Sequence, residues 1–218
     1  MLNYDCAIFD LDGTLLDTLG DLTCAVNHAM AAVGRPPHDR LAVRRMVGDG
    51  IKVLIQRALG DSATDALADA ALAEFRTYYT AHIDVHTREY PGITPMLRQL
   101  KAAGVRLGVC SNKYHSAAQA LIDAHFPGLF DAVVGEGDDI PRKPHPEGTL
   151  RAMRAVRADP ARTCYIGDSA VDFQTARNAG LPCLSVAWGF ADREALAALH
   201  PDALCDSTAE LARAILGE

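Results

Sequence analysis

The stretch CAIFDLDGTLLDT, Cys6–Thr18, decides the fold. An apolar run ends in two aspartates, Asp10 and Asp12, with only Leu11 between them. Carboxylates at the tip of a strand are costly unless something needs them. Residues i and i+2 of a strand point the same way, so the two acids leave the strand on one side, and Gly13 turns the chain after them.

Outward from this stretch, short apolar runs recur at 105–110 (VRLGVC), 131–135 (DAVVG), 163–167 (TCYIG) and 182–186 (PCLSV). Helical patterns separate them: TPMLRQLKAAG, SAAQALIDAHF, PEGTLRAMRAV and AVDFQTARNAG. Strands alternating with helices of this length imply βαβ units and a parallel sheet. The runs are apolar almost throughout, as strands covered on both faces must be. The expected fold is therefore α/β, with a doubly wound parallel-sheet, Rossmann-like core. From Leu16 to about His86 the rhythm breaks. No convincing strand is legible there, only amphipathic helical pattern, which predicts an inserted all-helical cap. The expected division is a core of 1–15 and 88–218 and a cap of 16–87, linked near Leu15–Thr18 and Val85–Pro91.

Composition narrows the classes. Hydrophobic residues make up 49 % of the 218 and charged residues 22 %, ordinary for a globular chain with a real core. A net charge of −7 argues against a nucleic-acid partner. No N-terminal leader pattern and no membrane-length apolar run is legible, so a cytoplasmic location without a membrane partner is expected. Nothing in the sequence fixes an oligomeric state. Six cysteines, Cys6, Cys24, Cys110, Cys164, Cys183 and Cys205, contain no CxxC pair. They read as small buried hydrophobes, Cys110 being the partial exception because a polar segment follows it.

In an open parallel sheet, ligands bind outside the carboxyl ends of the strands. The segments at those ends are FDLDGT, SNK (Ser111–Lys113), RKPHP (142–146) and GDSAVD (167–172). Together they supply four carboxylates along with hydroxyl, lysine and loop-amide donors. That inventory suits a hard cation beside a phosphate: oxygen ligands for Mg²⁺, donors for phosphoryl oxygens.

With these four motifs in this order, the chain resembles the haloacid dehalogenase-like hydrolases, and the inserted helical segment is similar to that family's small cap. RRMVGDGIKVLIQRALG and YPGITPMLRQLKAAG are most similar to its phosphoglycolate phosphatase group. The resemblance implies a phosphomonoester hydrolase acting through an aspartyl-phosphate. It makes Asp10 the nucleophile, Asp12 the general acid/base, and Lys143 the balance for the charge of nucleophile and phosphoryl group. It implies Mg²⁺ held by Asp10, Asp168 and the Asp12 backbone carbonyl, with Asp172 behind them orienting a metal water or Lys143. Ser111, Asn112 and Thr14 are expected at the substrate, a small phosphorylated metabolite, with 2-phosphoglycolate first. Rival readings are a sister phosphatase of sugar phosphates, nucleotides or pyrophosphate, a phosphomutase, and a catalytically silent binding module. Thr14 favours hydrolysis, because mutases of the family often carry an apolar residue there. Asp12 argues against a dehalogenase, which lacks that acid.

Taken singly, each residue also has a bland reading: Asp12-Gly13 as a turn, Ser111-Asn112, Asp168 and Asp172 as helix caps, Lys143 as a solvated loop charge. The joint pattern at successive strand ends outweighs them. His82 and His86 have metal-like i, i+4 spacing, but no third ligand is evident and a structural role is expected. His145 shapes the lysine loop. Of the cap cations Arg44, Arg45, Lys52 and Arg57, Arg45 or Lys52 is expected first to read an acidic substrate, with Gly48 and Gly50 forming a loop over the site. HPEGT after Lys143 and AWGF at 187–190 depart from the group's pattern, and neither is expected to touch the chemistry.

Overall fold

The structure is a computed structural model and describes residues 3–137 and 139–218. The chain divides into two compact units, Met1–Leu16 with Glu89–Glu218, and Asp17–Arg88. The strands are β1 (Cys6–Phe9), β2 (Leu16–Asp17), β3 (Arg88–Glu89), β4 (Arg106–Tyr114), β5 (Ala132–Glu136), β6 (Thr163–Gly167), β7 (Cys183–Val186) and β8 (Ala203–Cys205). The helices are α1 (Leu19–Ala32), α2 (Arg40–Met46), α3 (Ile51–Leu59), α4 (Asp65–Ala81), α5 (Ile93–Ala102), α6 (His115–His125), α7 (Glu147–Ala155), α8 (Ala170–Asn178), α9 (Arg193–Ala197) and α10 (Thr208–Leu216). The short strands β2 and β3, where the chain passes from one unit to the other, pair with each other.

The first unit is a six-stranded sheet in the order β5-β4-β1-β6-β7-β8, parallel at every pairing. Helices follow the strands, so the sheet is doubly wound, as the apolar runs implied. The strand order reverses between β1 and β6, which is where such sheets open a crevice for ligands. Asp10 and Asp12 follow one of these two strands and Asp168 follows the other. β1 is buried throughout, flanked by β4 and β6, with Ile8, Tyr165, Met153 and Val156 in the core around it.

Four strands differ from the sequence reading: β2 lies at the start of the stretch read as strandless, β3 lies just past its end, both being only two residues long, and two more differences fall in the main sheet. β8 adds a sixth strand, and its three residues are too few to register as an apolar run. β4 runs on through Ser111–Lys113, which composition presented as loop. Its pairing with β5 changes register between Cys110 and Tyr114, so the polar residues extend the strand across an irregularity.

The second unit packs α1 against α4 around Val26, Ala29, Met30, Ala71 and Phe75, all fully buried. Asp39 and Thr64 cap α2 and α4 by accepting the Ala42 and Leu67 backbone N–H. Among the described residues, no helix is long and apolar enough to cross a membrane.

Asp21, in the first turn of α1, is 2 % exposed. Its carboxylate accepts the backbone N–H groups of Val85, His86 and Thr87 and the Thr87 hydroxyl, at 2.8–3.2 Å. These bonds join the two ends of the helical segment. Asp21→Ala leaves several sheltered donors without an acceptor, and the expected loss is about 3 kcal/mol or more. The check is the thermal midpoint of the variant; a midpoint equal to wild type contradicts it.

Candidate active site

Asp10 and Asp12 are set by a tight turn. The N–H groups of Thr14, Leu15 and Leu16 converge on the Leu11 carbonyl at 3.0–3.3 Å, and Gly13 N bonds back to Leu16 O. Gly13 has φ +87°, and a Cβ there would lie 2.3 Å from Asp168 Oδ2. The turn thus needs glycine both for its backbone conformation and to admit the acid from the neighbouring strand.

Asp10, Asp168 and Asp172 form the one cluster among the described residues suited to hold a metal ion, with one carboxylate oxygen from each within 4.8 Å of the others. All three are buried. Lys143 stands among them, its Nζ 2.8 Å from Asp10 Oδ1 and 2.7 Å from Asp172 Oδ1. Tyr165 Oη accepts from Lys143 Nζ at 3.2 Å and lies 3.2 Å from both Asp172 Oδ1 and the Cys110 carbonyl. Asp10 Oδ1 is thus ion-paired with Lys143 within the buried cluster.

The electrostatics follow. Burial, then the Asp172 charge, pushes the Asp10 carboxyl well above the ordinary range, against the pull of Lys143. Burial and Asp172 likewise push the Asp168 carboxyl up to about 7. Burial acts to lower the Lys143 ammonium, but Asp10 and Asp172 more than offset it and hold it charged, above its usual value. With all three carboxyls ionised the group would carry −3 + 1 = −2, and the raised Asp10 and Asp168 carboxyls show that this charge is costly without a further cation. Three buried carboxylate oxygens gathered in this way are donors that fit a hard divalent cation.

Asp172 has two tasks. One oxygen faces Lys143, and the other accepts the Ser169 N–H, while Ser169 Oγ caps α8 by accepting the Asp172 N–H. The bland reading as a helix cap and the functional one as the lysine's orienter are both present in one side chain.

Other residues lie differently from the sequence reading. The Thr14 hydroxyl, expected at the substrate, is 1 % exposed and donates to Asp168 Oδ1 at 2.9 Å. The Asn112 amide, also expected at the phosphoryl group, closes on the Lys143 backbone, accepting its N–H at 2.8 Å and approaching its carbonyl at 3.3 Å. Ser111 Oγ accepts the Lys113 N–H, which leaves its own O–H to donate.

AWGF does touch the site, against expectation. Phe190 N donates to Asp168 Oδ2 at 2.7 Å and Trp188 Nε1 to the Thr14 carbonyl at 3.0 Å. A Cβ on Gly189 would meet Asp168 and the Gly13 carbonyl at 2.3–2.4 Å. Lys113 was also missed as a site residue. Its Nζ donates to Asp12 Oδ1 at 2.9 Å, and no local sequence signal marks a pairing between residues so far apart in the chain.

Cys110 lies among the site residues but is buried, and burial pushes its thiol up to about 11, which leaves it unreactive. The six cysteines are unpaired thiols. In the helical unit, Arg57 pairs with Asp49 and donates to the Met46 carbonyl, pinning the loop that carries Gly48 and Gly50. Arg45 and Lys52 are exposed. His82 stacks on Tyr78 at 4.1 Å and bonds its carbonyl, and the His86 N–H goes to Asp21, so both take structural places.

A parallel sheet with paired acids at its switch point and a lysine among carboxylates defines a hydrolase-type site, and residues 7–186 match the family described as haloacid dehalogenase-like hydrolase. The chain belongs to that family. It is 38 % identical over 192 residues to a protein of Mesorhizobium japonicum named phosphoglycolate phosphatase, covering 85 % of this chain and 84 % of the relative. A crystal structure of a protein from Lactobacillus delbrueckii subsp. bulgaricus superposes with a TM-score of 0.96 at 34 % identity over all of both chains. CbbY from Rhodobacter sphaeroides, solved in complex with phosphate, matches with a TM-score of 0.77 at 30 % identity, over 95 % of this chain and 96 % of that one.

Proposed function

We propose that this chain is a Mg²⁺-dependent phosphomonoester hydrolase that works through an aspartyl-phosphate on Asp10, with 2-phosphoglycolate as its substrate. The observation that carries the reading is Lys143 held between Asp10 and Asp172 within a buried three-carboxylate cluster. The names of the relatives and the phosphate bound by CbbY support it.

In this reading Asp10 and Asp168 would hold the cation with the Asp12 backbone carbonyl, and Asp172 holds Lys143. When bound, Mg²⁺ supplies positive charge against the phosphoryl oxygens and the Asp10 carboxylate. Asp10 attacks phosphorus as the bond to the leaving oxygen breaks, and Asp12 gives that oxygen a proton. Asp12 then takes a proton from water as the water oxygen bonds to phosphorus and the Asp10–phosphorus bond breaks. Lys143 neutralises charge on nucleophile and phosphoryl group, and Ser111 donates to a phosphoryl oxygen. Thr14, Phe190 N and Gly189 fix Asp168. The resemblance gives residues 16–87 the role of cap, and Arg45 and Lys52 are its candidates for reading an acidic leaving group.

The test is hydrolysis of a panel of small phosphomonoesters with Mg²⁺ and with EDTA. Highest kcat/KM on 2-phosphoglycolate, lost with EDTA, is expected. Preference for a sugar phosphate or nucleotide overturns the substrate, and no hydrolysis of any ester overturns the activity. On the acidic substrate, Arg45→Ala or Lys52→Ala is expected to raise KM by an amount equal to about 1.5–3 kcal/mol, while p-nitrophenyl phosphate hydrolysis stays within a few-fold. Equal effects on both esters place recognition elsewhere.

A further inference from the structure

We propose that Lys113 is a positioning residue for Asp12, holding its carboxylate in the orientation from which it serves first the leaving oxygen and then the attacking water. This rests on the phosphatase reading above.

The Lys113 side chain is 3 % exposed and the Asp12 side chain 17 %. A lysine is almost never buried to that extent unless it is paired, and here Nζ donates to Asp12 Oδ1 at 2.9 Å. The backbone around each partner is fixed separately. The bonds onto Leu11 O set the backbone around Asp12, and they do not involve its side chain. Lys113 N donates to Ser111 Oγ, and the register change of β4 between Cys110 and Tyr114 aims Lys113 from an irregular stretch of strand. Each of the two neighbouring acids therefore has its own lysine: Asp10 pairs with Lys143 and Asp12 with Lys113. Proton transfer demands hydrogen-bond reach to the oxygen concerned, so a group that fixes the carboxylate's rotation acts on rate without touching substrate.

The test is rapid-quench kinetics with p-nitrophenyl phosphate on the Mg²⁺-loaded full chain. In wild type, the Asp10 oxygen–phosphorus bond forms as nitrophenolate leaves, and it breaks when water, giving its proton to Asp12, bonds to phosphorus. Nitrophenolate leaves without an acid, so phosphoenzyme formation in Lys113→Met is expected within a few-fold of wild type. Breakdown is expected to slow roughly ten- to a hundred-fold. The variant then shows a nitrophenolate burst approaching one equivalent per site, and inhibition by inorganic phosphate is unchanged. Lys113→Arg restores part of the breakdown rate. The double variant with Asp12→Asn breaks down no more slowly than Asp12→Asn alone, because the lysine acts only through that acid.

Losses that multiply in the double variant assign Lys113 a separate structural role and overturn the proposal. So does a Lys113→Met enzyme with unchanged kcat and weakened binding of both ester and phosphate, which assigns the lysine to the phosphoryl group. If Lys113→Met does not fold, Lys113→Gln, which keeps a donor without the charge, is read by the same criteria. If neither wild type nor Asp12→Asn yields any acid-quenched phosphoenzyme, the phosphatase reading itself has failed and takes this inference with it.

Discussion

Asp10→Asn is expected to lower turnover about 10⁴-fold or more while the chain stays folded. The amide is nearly isosteric with the carboxylate but neutral, so it cannot attack phosphorus. Its stability should rise, not fall. Asp10 is buried beside Asp172 and Asp168, and its carboxyl is pushed well up by that burial and charge. Removing one negative charge relieves the crowding. Circular dichroism, thermal midpoint and a turnover assay with a contamination control check this together. Near-native turnover in Asp10→Asn contradicts the assignment, and a midpoint below wild type contradicts the electrostatic account.

The second large effect concerns metal and pH. In EDTA, the folded Asp168 carboxyl keeps a proton up to about pH 7, whereas an unfolded aspartate has an ordinary value near 3.8. Between these two values the folded state binds more protons than the unfolded one. Stability of the chelated protein therefore falls as pH rises from about 4 to 7, by the order of 4 kcal/mol for this group alone, and then levels off. Mg²⁺ is expected to restore the midpoint, more at pH 8 than at pH 5, where protons compete for the same oxygens. Asp168→Asn should be more stable than wild type in EDTA at pH 8, flatter with pH, and insensitive to Mg²⁺. Its amide can still meet both neighbours, with the oxygen toward Phe190 N and the nitrogen toward a Thr14 hydroxyl turned to accept. A chelated wild-type midpoint that is flat from pH 5 to pH 8 and unmoved by millimolar Mg²⁺ contradicts this account.

What the sequence discloses here, it discloses through local pattern. Asp10 and Asp12 are readable because an apolar run sets the strand and i, i+2 spacing sets their common side. Asp168 and Asp172 are readable because a strand, a glycine and a helix start stand in order around them. What stays hidden is pairing over distance. Lys113 has the composition of a solvated loop charge, and only the approach of β4 to the turn after β1 gives it Asp12. Asn112 and Thr14 carry donors that suit a phosphate, and the contacts to the Lys143 backbone and to Asp168 are not announced by their sequence neighbours. The AWGF turn acts through a backbone N–H and the absence of a Cβ, neither of which its side-chain chemistry announces. Asp21 looks like an ordinary first-turn acid of α1, and its task becomes visible only when the segment at 85–87 returns to it.

The central claim is a phosphoryl group carried on Asp10, and acid-quench peptide mass spectrometry tests it most directly. With Mg²⁺ and p-nitrophenyl phosphate, the Asp12→Asn enzyme should accumulate one phosphoryl group on the peptide that contains Asp10, because the water that releases it has lost its base. The wild-type enzyme should show the same modification at lower occupancy. A phosphoryl group mapped to any other residue, or steady release of inorganic phosphate with no modified peptide in either enzyme, contradicts the account.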